Sequence, residues 1–401
     1  MTINTIKYLV YLFLIITVSG CYHVPKRDKF EKSIESICKG GDIKTVVDML
    51  AKPLIKEHYF VGIGIGVVVG DYQEIFCYGK SSLDSGQPVT GDTLFAIGSS
   101  TKTFLSILLA QLVQEKVIAL DDPAKKIIPS NINLDSEGLE NITFKKLASH
   151  SSGLTQEAYA PITLLLATKY LFAGSNIYEG ITQEMMLGYL KGYKLDPHRE
   201  YGFNYSNLGY AYLAWLLGNI GDSGAEKLML EKVILPLDLN DTVFELNESQ
   251  KKRLAQGYAG DLPFLSPRNT KIENWVLSPG IRAVGGLYSS VNDLMKYLKA
   301  NMGLIPTHLY PAMELSHQRI VKAGKEGYMG LGWYSNELPL SKVKITYIDG
   351  LIGGYTSFIG FDARSKIGVI VLLNSCNFED YIGFELLDIL IAAQQKKDAN
   401  R

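Results

Sequence analysis

The sequence predicts an α/β chain of the α+β type: one antiparallel sheet built from both chain ends and flanked by helices, with a mostly helical sub-domain inserted between the halves. Three observations predict it. β-Branched, strand-like segments stand near the start, VGIGIGVVV from Val61, and return near the end from Val343 onward. The long stretch between, through about Leu237, alternates helical apolar runs with turn signals such as Ser152-Gly153 and Asp196-Pro197. An amphipathic helix from about Phe378 to Lys396 closes the chain, with Leu386, Leu387, Leu390 and Ile391 at helical spacing. Such elements pack as a sheet with helices on its faces, and the junction with the inserted block is the natural place for a cleft.

Residues 1–20 read as a secretory signal. Lys7 precedes a short apolar run, Tyr8 to Val18, which ends in Val18-Ser19-Gly20-Cys21. The run is too short for an ordinary transmembrane helix. A plain signal peptide that happens to hold a cysteine is the bland alternative. The end of the segment resembles a bacterial lipobox, which implies that Cys21 becomes the lipidated first residue of an exported, membrane-anchored envelope protein on the periplasmic or extracellular face. Residues 21–45 are polar and charged and read as a tether with room for one helix. Residues 46–98 and 276–396 are expected to form the sheet sub-domain, and residues 99–275 the helical one.

Within the first part of the sheet, Val61 to Val69 and Gln73 to Tyr78 flank the turn-like Gly70-Asp71 and read as a hairpin. The glycines Gly62, Gly64 and Gly66 have the wrong spacing for dinucleotide binding, and no helix follows them at the right distance. From Thr101, the run TKTFLSILLAQLVQEKVIAL is apolar on nearly every side, the mark of a buried helix. Later strands are expected at Val343 to Ile348, Tyr355 to Phe361 and Ile367 to Leu373.

The bulk composition narrows the function. The 401 residues are 47% hydrophobic and 20% charged, ordinary for a globular protein. A formal net charge of −1 offers no basic field for nucleic acid. The four cysteines and six histidines are scattered without metal-ligand spacing, so neither a metal nor a cofactor is expected. With Cys21 lipidated, at most one disulfide remains available.

The chemistry-bearing residues fall in two motifs. Gly98-Ser99-Ser100-Thr101-Lys102 places a hydroxyl and an amine three residues apart at a helix start, on one face. A serine hydroxyl attacks only once a base takes its proton, and a lysine serves as that base when burial lowers its pKa. The helix start also aims the Ser99 amide at a developing oxyanion. Alone, S-x-x-K is a frequent string that also fits an N-cap serine and a surface lysine. Tyr205-Ser206-Asn207 is the second motif: a phenol that can relay a proton and an amide that can orient a substrate. Its bland reading is a packed aromatic followed by a helix cap.

Together these motifs make the chain resemble the class C β-lactamase and D-alanyl-D-alanine carboxypeptidase family of serine hydrolases, with its β-lactamase/transpeptidase-like fold. The related S-x-x-K sets of penicillin-binding proteins share the logic. The similarity runs through GQPVTGDTLFAIGSSTKTF, ITFKKLASHSSGL, FNYSNLGYAYLAWLL, ILPLDLNDTVF, AVGGLYSSVNDLMKYL and GGYTSFIGFDARSKIGVIVLLN. It implies that Ser99 is the acylated nucleophile, Lys102 the base, Tyr205 the proton relay in deacylation and Asn207 the substrate-orienting residue. It also implies that the Leu351 backbone N–H is the second oxyanion donor.

The third motif departs from the family. Where the family has Lys or His, a small polar residue and Gly, alignment through Gly353-Gly354-Tyr355 places Ile348-Asp349-Gly350, and only Gly350 fits. Read this way, the strand position of Ile348 faces the cleft, and a lysine there would help acylation by carboxylate-bearing β-lactams. Alternatively, Asp349-Gly350 is a type I′ turn, and Lys342 or Lys344 supplies the charge. Two functions are carried forward. One is an acyl-serine hydrolase acting on D-amino-acid peptides of peptidoglycan, β-lactams or small esters. The other is an envelope protein with a binding or scaffolding role, which the missing cation favours.

Overall fold

A computed structural model describes residues 33–35, 37, 42–129, 138–139, 142–158, 165, 168–170, 174–196, 198–220, 223–263, 265–377 and 381–400. The expected signal and Cys21, and most of the expected tether, lie outside the described residues.

An eight-stranded sheet organises the described chain. Its strands are β1 (Gly62–Val69), β2 (Tyr72–Gly79), β6 (Val321–Ala323), β7 (Gly327–Met329), β8 (Tyr334–Glu337), β9 (Lys344–Ile352), β10 (Tyr355–Asp362) and β11 (Ile367–Leu373). They run in the order β2-β1-β11-β10-β9-β8-β7-β6. Every pairing within this sheet is antiparallel. The first and last parts of the chain meet where β1 pairs with β11, Ile65 opposite Val371. Two short pairs stand apart: β3 (Leu94–Ala96) with β5 (Tyr288–Ser290), and β4 (Tyr258–Ala259) with β12 (Ser375–Cys376).

The glycine-rich start of β1 has a packing explanation. Successive side chains of a strand point to opposite faces. Ile63, Ile65 and Val67 enter one apolar layer, shared with the helices Ile43–Lys56 and Tyr381–Ala399. Each is fully buried and contributes on the order of 1.5–3 kcal/mol. Gly64 and Gly66 face the other side, where the helix Val291–Asn301 lies directly on the sheet. A Cβ on Gly64 would stand 2.7 Å from Val291, and one on Gly66 2.5 Å from Met295. That second side carries the larger core, which the helices Thr101–Gln114 and Asn207–Asn219 share.

The strands near the chain end extend the expectation. β9 continues past Ile348 to Ile352, so Asp349-Gly350 is strand and not turn. The reversal falls instead at Gly353-Gly354, between the paired residues Ile352 and Tyr355. Gly353 takes a φ of +54°, open to glycine at no steric cost. β6, β7 and β8 had no counterpart in the sequence reading.

Candidate active site

Ser99 sits in a single 3₁₀ turn, Gly98–Ser100, which runs directly into the helix Thr101–Gln114. Lys102 lies one turn into this continuous stretch and is 1% exposed. Its Nζ donates to Ser99 Oγ at 2.9 Å and to the Val284 carbonyl at 3.2 Å. Burial lowers its pKa to about 7, against Glu157 and Asp349, which pull it upward. Tyr205 approaches from the start of the helix Asn207–Asn219 and donates its hydroxyl to Ser99 Oγ at 2.8 Å. Its pKa is raised, chiefly by burial and further by Asp349, so the phenol stays neutral and a donor.

The nucleophile turn is fixed against the sheet by the absence of side chains. Gly98 has φ +50°, and a Cβ there would stand 3.0 Å from the Leu351 backbone. On Gly350 a Cβ would stand 2.3 Å from the Ile97 carbonyl and 2.7 Å from Ser357 Oγ. Ser357, opposite Gly350 on β10, therefore reaches past it to bond Ile97 O and Ser100 Oγ, each at 2.8 Å. These two glycines bring the β9 backbone at Leu351 against the turn that carries Ser99.

Asn207 opens its helix, with Ser206 as N-cap accepting from the Gly209 amide. Its Nδ2 donates to Glu157 Oε1 at 2.5 Å and to the Tyr178 hydroxyl at 3.0 Å. A carboxylate only accepts, which turns the amide nitrogen toward Glu157 and leaves Asn207 Oδ1 as the acceptor for an incoming N–H. Burial raises the Glu157 pKa, opposed by the bonds from Asn207 and Tyr178 and by Lys102.

These groups line a cleft of about 420 Å³, with Tyr178, Trp275, Leu277 and Ile281 among its apolar walls. Of the third motif, Asp349 and Leu351 line it. Ile348 does not: it is 1% exposed and belongs to the larger core, paired opposite Ile359. The expectation that this side chain faces the cleft is corrected by strand alternation, which gives the cleft to the neighbouring Asp349. Neither lysine considered as a replacement is among the lining residues. Lys344 Nζ sits over the Tyr328 ring, 5.6 Å from its centroid, and Lys342 occupies a left-handed turn position at φ +59°.

The family model described as Beta-lactamase matches residues 47–387. The chain belongs to the beta-lactamase family. It is 25% identical over 374 residues to the beta-lactamase of Pseudomonas fluorescens, covering 83% of this chain and 94% of that protein. It is 24% identical over 340 residues to the D-alanyl-D-alanine-carboxypeptidase/endopeptidase AmpH of Escherichia coli K12, covering 82% and 83%. The D-alanine carboxypeptidase AmpC of Burkholderia cenocepacia shares the fold, with a TM-score of 0.70 at 22% identity over 86% of this chain and 98% of that one. So does a class C beta-lactamase, with a TM-score of 0.71 at 21% identity over 86% and 95%. The family's members are hydrolases, and the antiparallel sheet flanked by helices is its fold.

Three residues in or directly behind this beta-lactamase-family cleft had no role in the sequence reading. Glu157 and Tyr178 follow the stretch ITFKKLASHSSGL without any motif spacing of their own. His150 lies inside that stretch and backs Tyr205. Its ring lies tilted against Tyr205 and Tyr210, with centroids 4.4 Å and 4.7 Å away, and Nδ1 accepts from the Ser206 amide at 3.0 Å. Burial, and secondarily Lys102, hold its pKa well below the ordinary value, so it is a neutral wedge.

Proposed function

We propose that this protein is a serine hydrolase that acts through an acyl-enzyme at Ser99 on D-amino-acid peptides, small esters or, slowly, β-lactams. The observation that carries the reading is the position of Ser99 Oγ between Lys102 Nζ at 2.9 Å and the Tyr205 hydroxyl at 2.8 Å. Lys102 in its neutral form takes the Ser99 proton as Oγ bonds to the substrate carbonyl carbon. The Ser99 and Leu351 amides hold the oxyanion. As the bond to the leaving group breaks, the proton passes through the Tyr205 hydroxyl to that group. A water activated by Lys102 or Tyr205 then cleaves the acyl ester. The protein is exported and lipid-anchored through Cys21.

The likeness to the Escherichia coli D-alanyl-D-alanine-carboxypeptidase/endopeptidase and the absence of a lysine or histidine at the third motif favour peptides and esters over efficient β-lactam turnover. The test is covalent labelling. Ser99→Ala is expected to lose all labelling by penicillins and by fluorophosphonates, read by intact mass. Labelling that persists on another serine of the variant overturns the assignment.

A further inference from the structure

The cleft carries an unbalanced set of charges. Among the described residues, three charged side chains line it: Lys102, Glu157 and Asp349. Lys102 is committed to Ser99 and the Val284 carbonyl and is 1% exposed. The two carboxyl groups have no such commitment to a cation. Glu157 receives both of its side-chain bonds, from Asn207 and Tyr178, on Oε1. Its Oε2 takes none from the described residues. Asp349 lines the cleft from β9, one residue beyond the position where a cation was expected and two before Leu351.

We propose that the acyl donor this cleft takes carries an ammonium close to the scissile carbonyl, received by Glu157 and Asp349, and that a carboxylate there is rejected. The inference rests on the acyl-serine reading above and names the substrate class of that same site. Entering as a carboxylate, a substrate meets two carboxyl groups, whose pKa burial raises and which only a cation draws into the charged form, and no free cation. Entering as an ammonium, it meets two acceptors. The walls sharpen the choice. Trp275, Tyr178, Leu277 and Ile281 line the same cleft, so each charge acts through a lower dielectric than that of bulk water. Rejection by like charge is as much a source of specificity as attraction. Asn207 Oδ1 can accept from the same ammonium, since both of its Nδ2 bonds are already used.

The experiment measures how much of each compound halves the rate of Ser99 labelling by a fluorophosphonate. The compounds are D-alaninamide, its N-acetyl derivative and its N-succinyl derivative, which present an ammonium, a neutral amide and a carboxylate. D-Alaninamide is expected to protect at a concentration about tenfold below the N-acetyl compound, with the N-succinyl compound weakest. Glu157→Gln keeps an acceptor for Asn207 and Tyr178 while removing the charge, and is expected to shrink the preference about tenfold. Asp349→Asn, the second variant, is expected to shrink it as well, and thermal melting identifies any variant that has not folded. Equal protection by the three compounds, stronger protection by the N-succinyl compound, or an unchanged preference in folded variants overturns the inference. If Ser99 takes no label in the wild type, the acyl-serine reading fails and the inference falls with it. If Ser99 labels but the ordering is absent, only the inference fails.

Discussion

At the scale of the residue, the site is a matter of water removed. Lys102 is an ordinary lysine whose surroundings are not: Val284, Tyr205 and Tyr210 enclose it, with Nζ 5.1 Å and 5.7 Å from the two ring centroids. Burial costs the ammonium more than the amine, so its pKa falls to about 7. The same burial acts oppositely on Tyr205, whose charged form is the phenolate, and keeps it protonated. The two partners of Ser99 thus divide the labour, with the amine as acceptor and the phenol as donor. Because the neutral amine is the reactive form, the rate of Ser99 labelling by a fluorophosphonate is expected to rise with pH through about 7 and level off above it. Glu157 pulls the Lys102 pKa upward, so Glu157→Gln is expected to move the midpoint to lower pH. A profile without a step near neutrality, or a midpoint that rises in the variant, contradicts this assignment. Stability carries the same sign. Between about 7 and the ordinary 10.5 the unfolded chain holds a proton that the folded chain has released, so the contribution of Lys102 to stability grows as pH rises across that window.

At the scale of the element, β9 decides the chemistry of the third motif. Its Ile348 and Asp349 are neighbours in sequence and opposites in space, one in the larger core and one in the cleft. Ile348→Lys therefore places an ammonium in the core. It is expected to cost on the order of several kcal/mol of stability, read by urea unfolding, because an unpaired buried charge carries a penalty of that size. It is also expected to leave unchanged the ratio of acylation rates for a penicillin and a neutral ester. A stable variant with a raised ratio would put the side chain at 348 in the cleft after all. The strand assignment at Asp349-Gly350 was open in the sequence because Asp-Gly is a strong turn signal. Pairing settles it: Asp349 stands opposite Phe358 and Gly350 opposite Ser357 in an unbroken ladder. β6, β7 and β8 gave no signal because they are three or four residues long, VKA, GYM and YSNE, too short for alternation to register.

At the scale of the whole molecule, the sheet joins chain regions separated by the entire helical block, and the cleft lies where that block meets β9. Ser99 and Tyr205 are 106 residues apart and in contact, and Ser100 bonds Ser357 across 257 residues. The helix Ile43–Lys56 begins at an Asp42 cap and packs on the sheet beside Tyr381–Ala399, and Ile37, ahead of it, is buried in the same layer. Wild-type protein is expected to enter the detergent phase on partitioning and Cys21→Ser to stay aqueous, since acylation adds about 0.8 kcal/mol of membrane affinity per buried CH₂. Equal aqueous partitioning of both proteins contradicts the anchor.

Local order was legible in the sequence because it is written in local periodicity. The hairpin about Gly70 and the closing strands are β-branched runs bounded by turn residues, the run after Thr101 is long and apolar on nearly every side, and the final helix repeats its leucines at helical spacing. The pairing of Ser99 with Lys102 was legible for the same reason, since residues three apart in a helical stretch share a face whatever surrounds them. The remainder depended on residues distant in the chain. Nothing near Ile348 announces which face of β9 meets the cleft, and nothing near Glu157 announces that Asn207 will lie 2.5 Å away. Whether Lys102 is a base or a surface cation depends on what covers it, and Tyr205, Tyr210 and Val284 come from far along the chain. Sequence spacing specifies geometry within an element; burial and charge at a site are sums over elements that only the tertiary fold brings together.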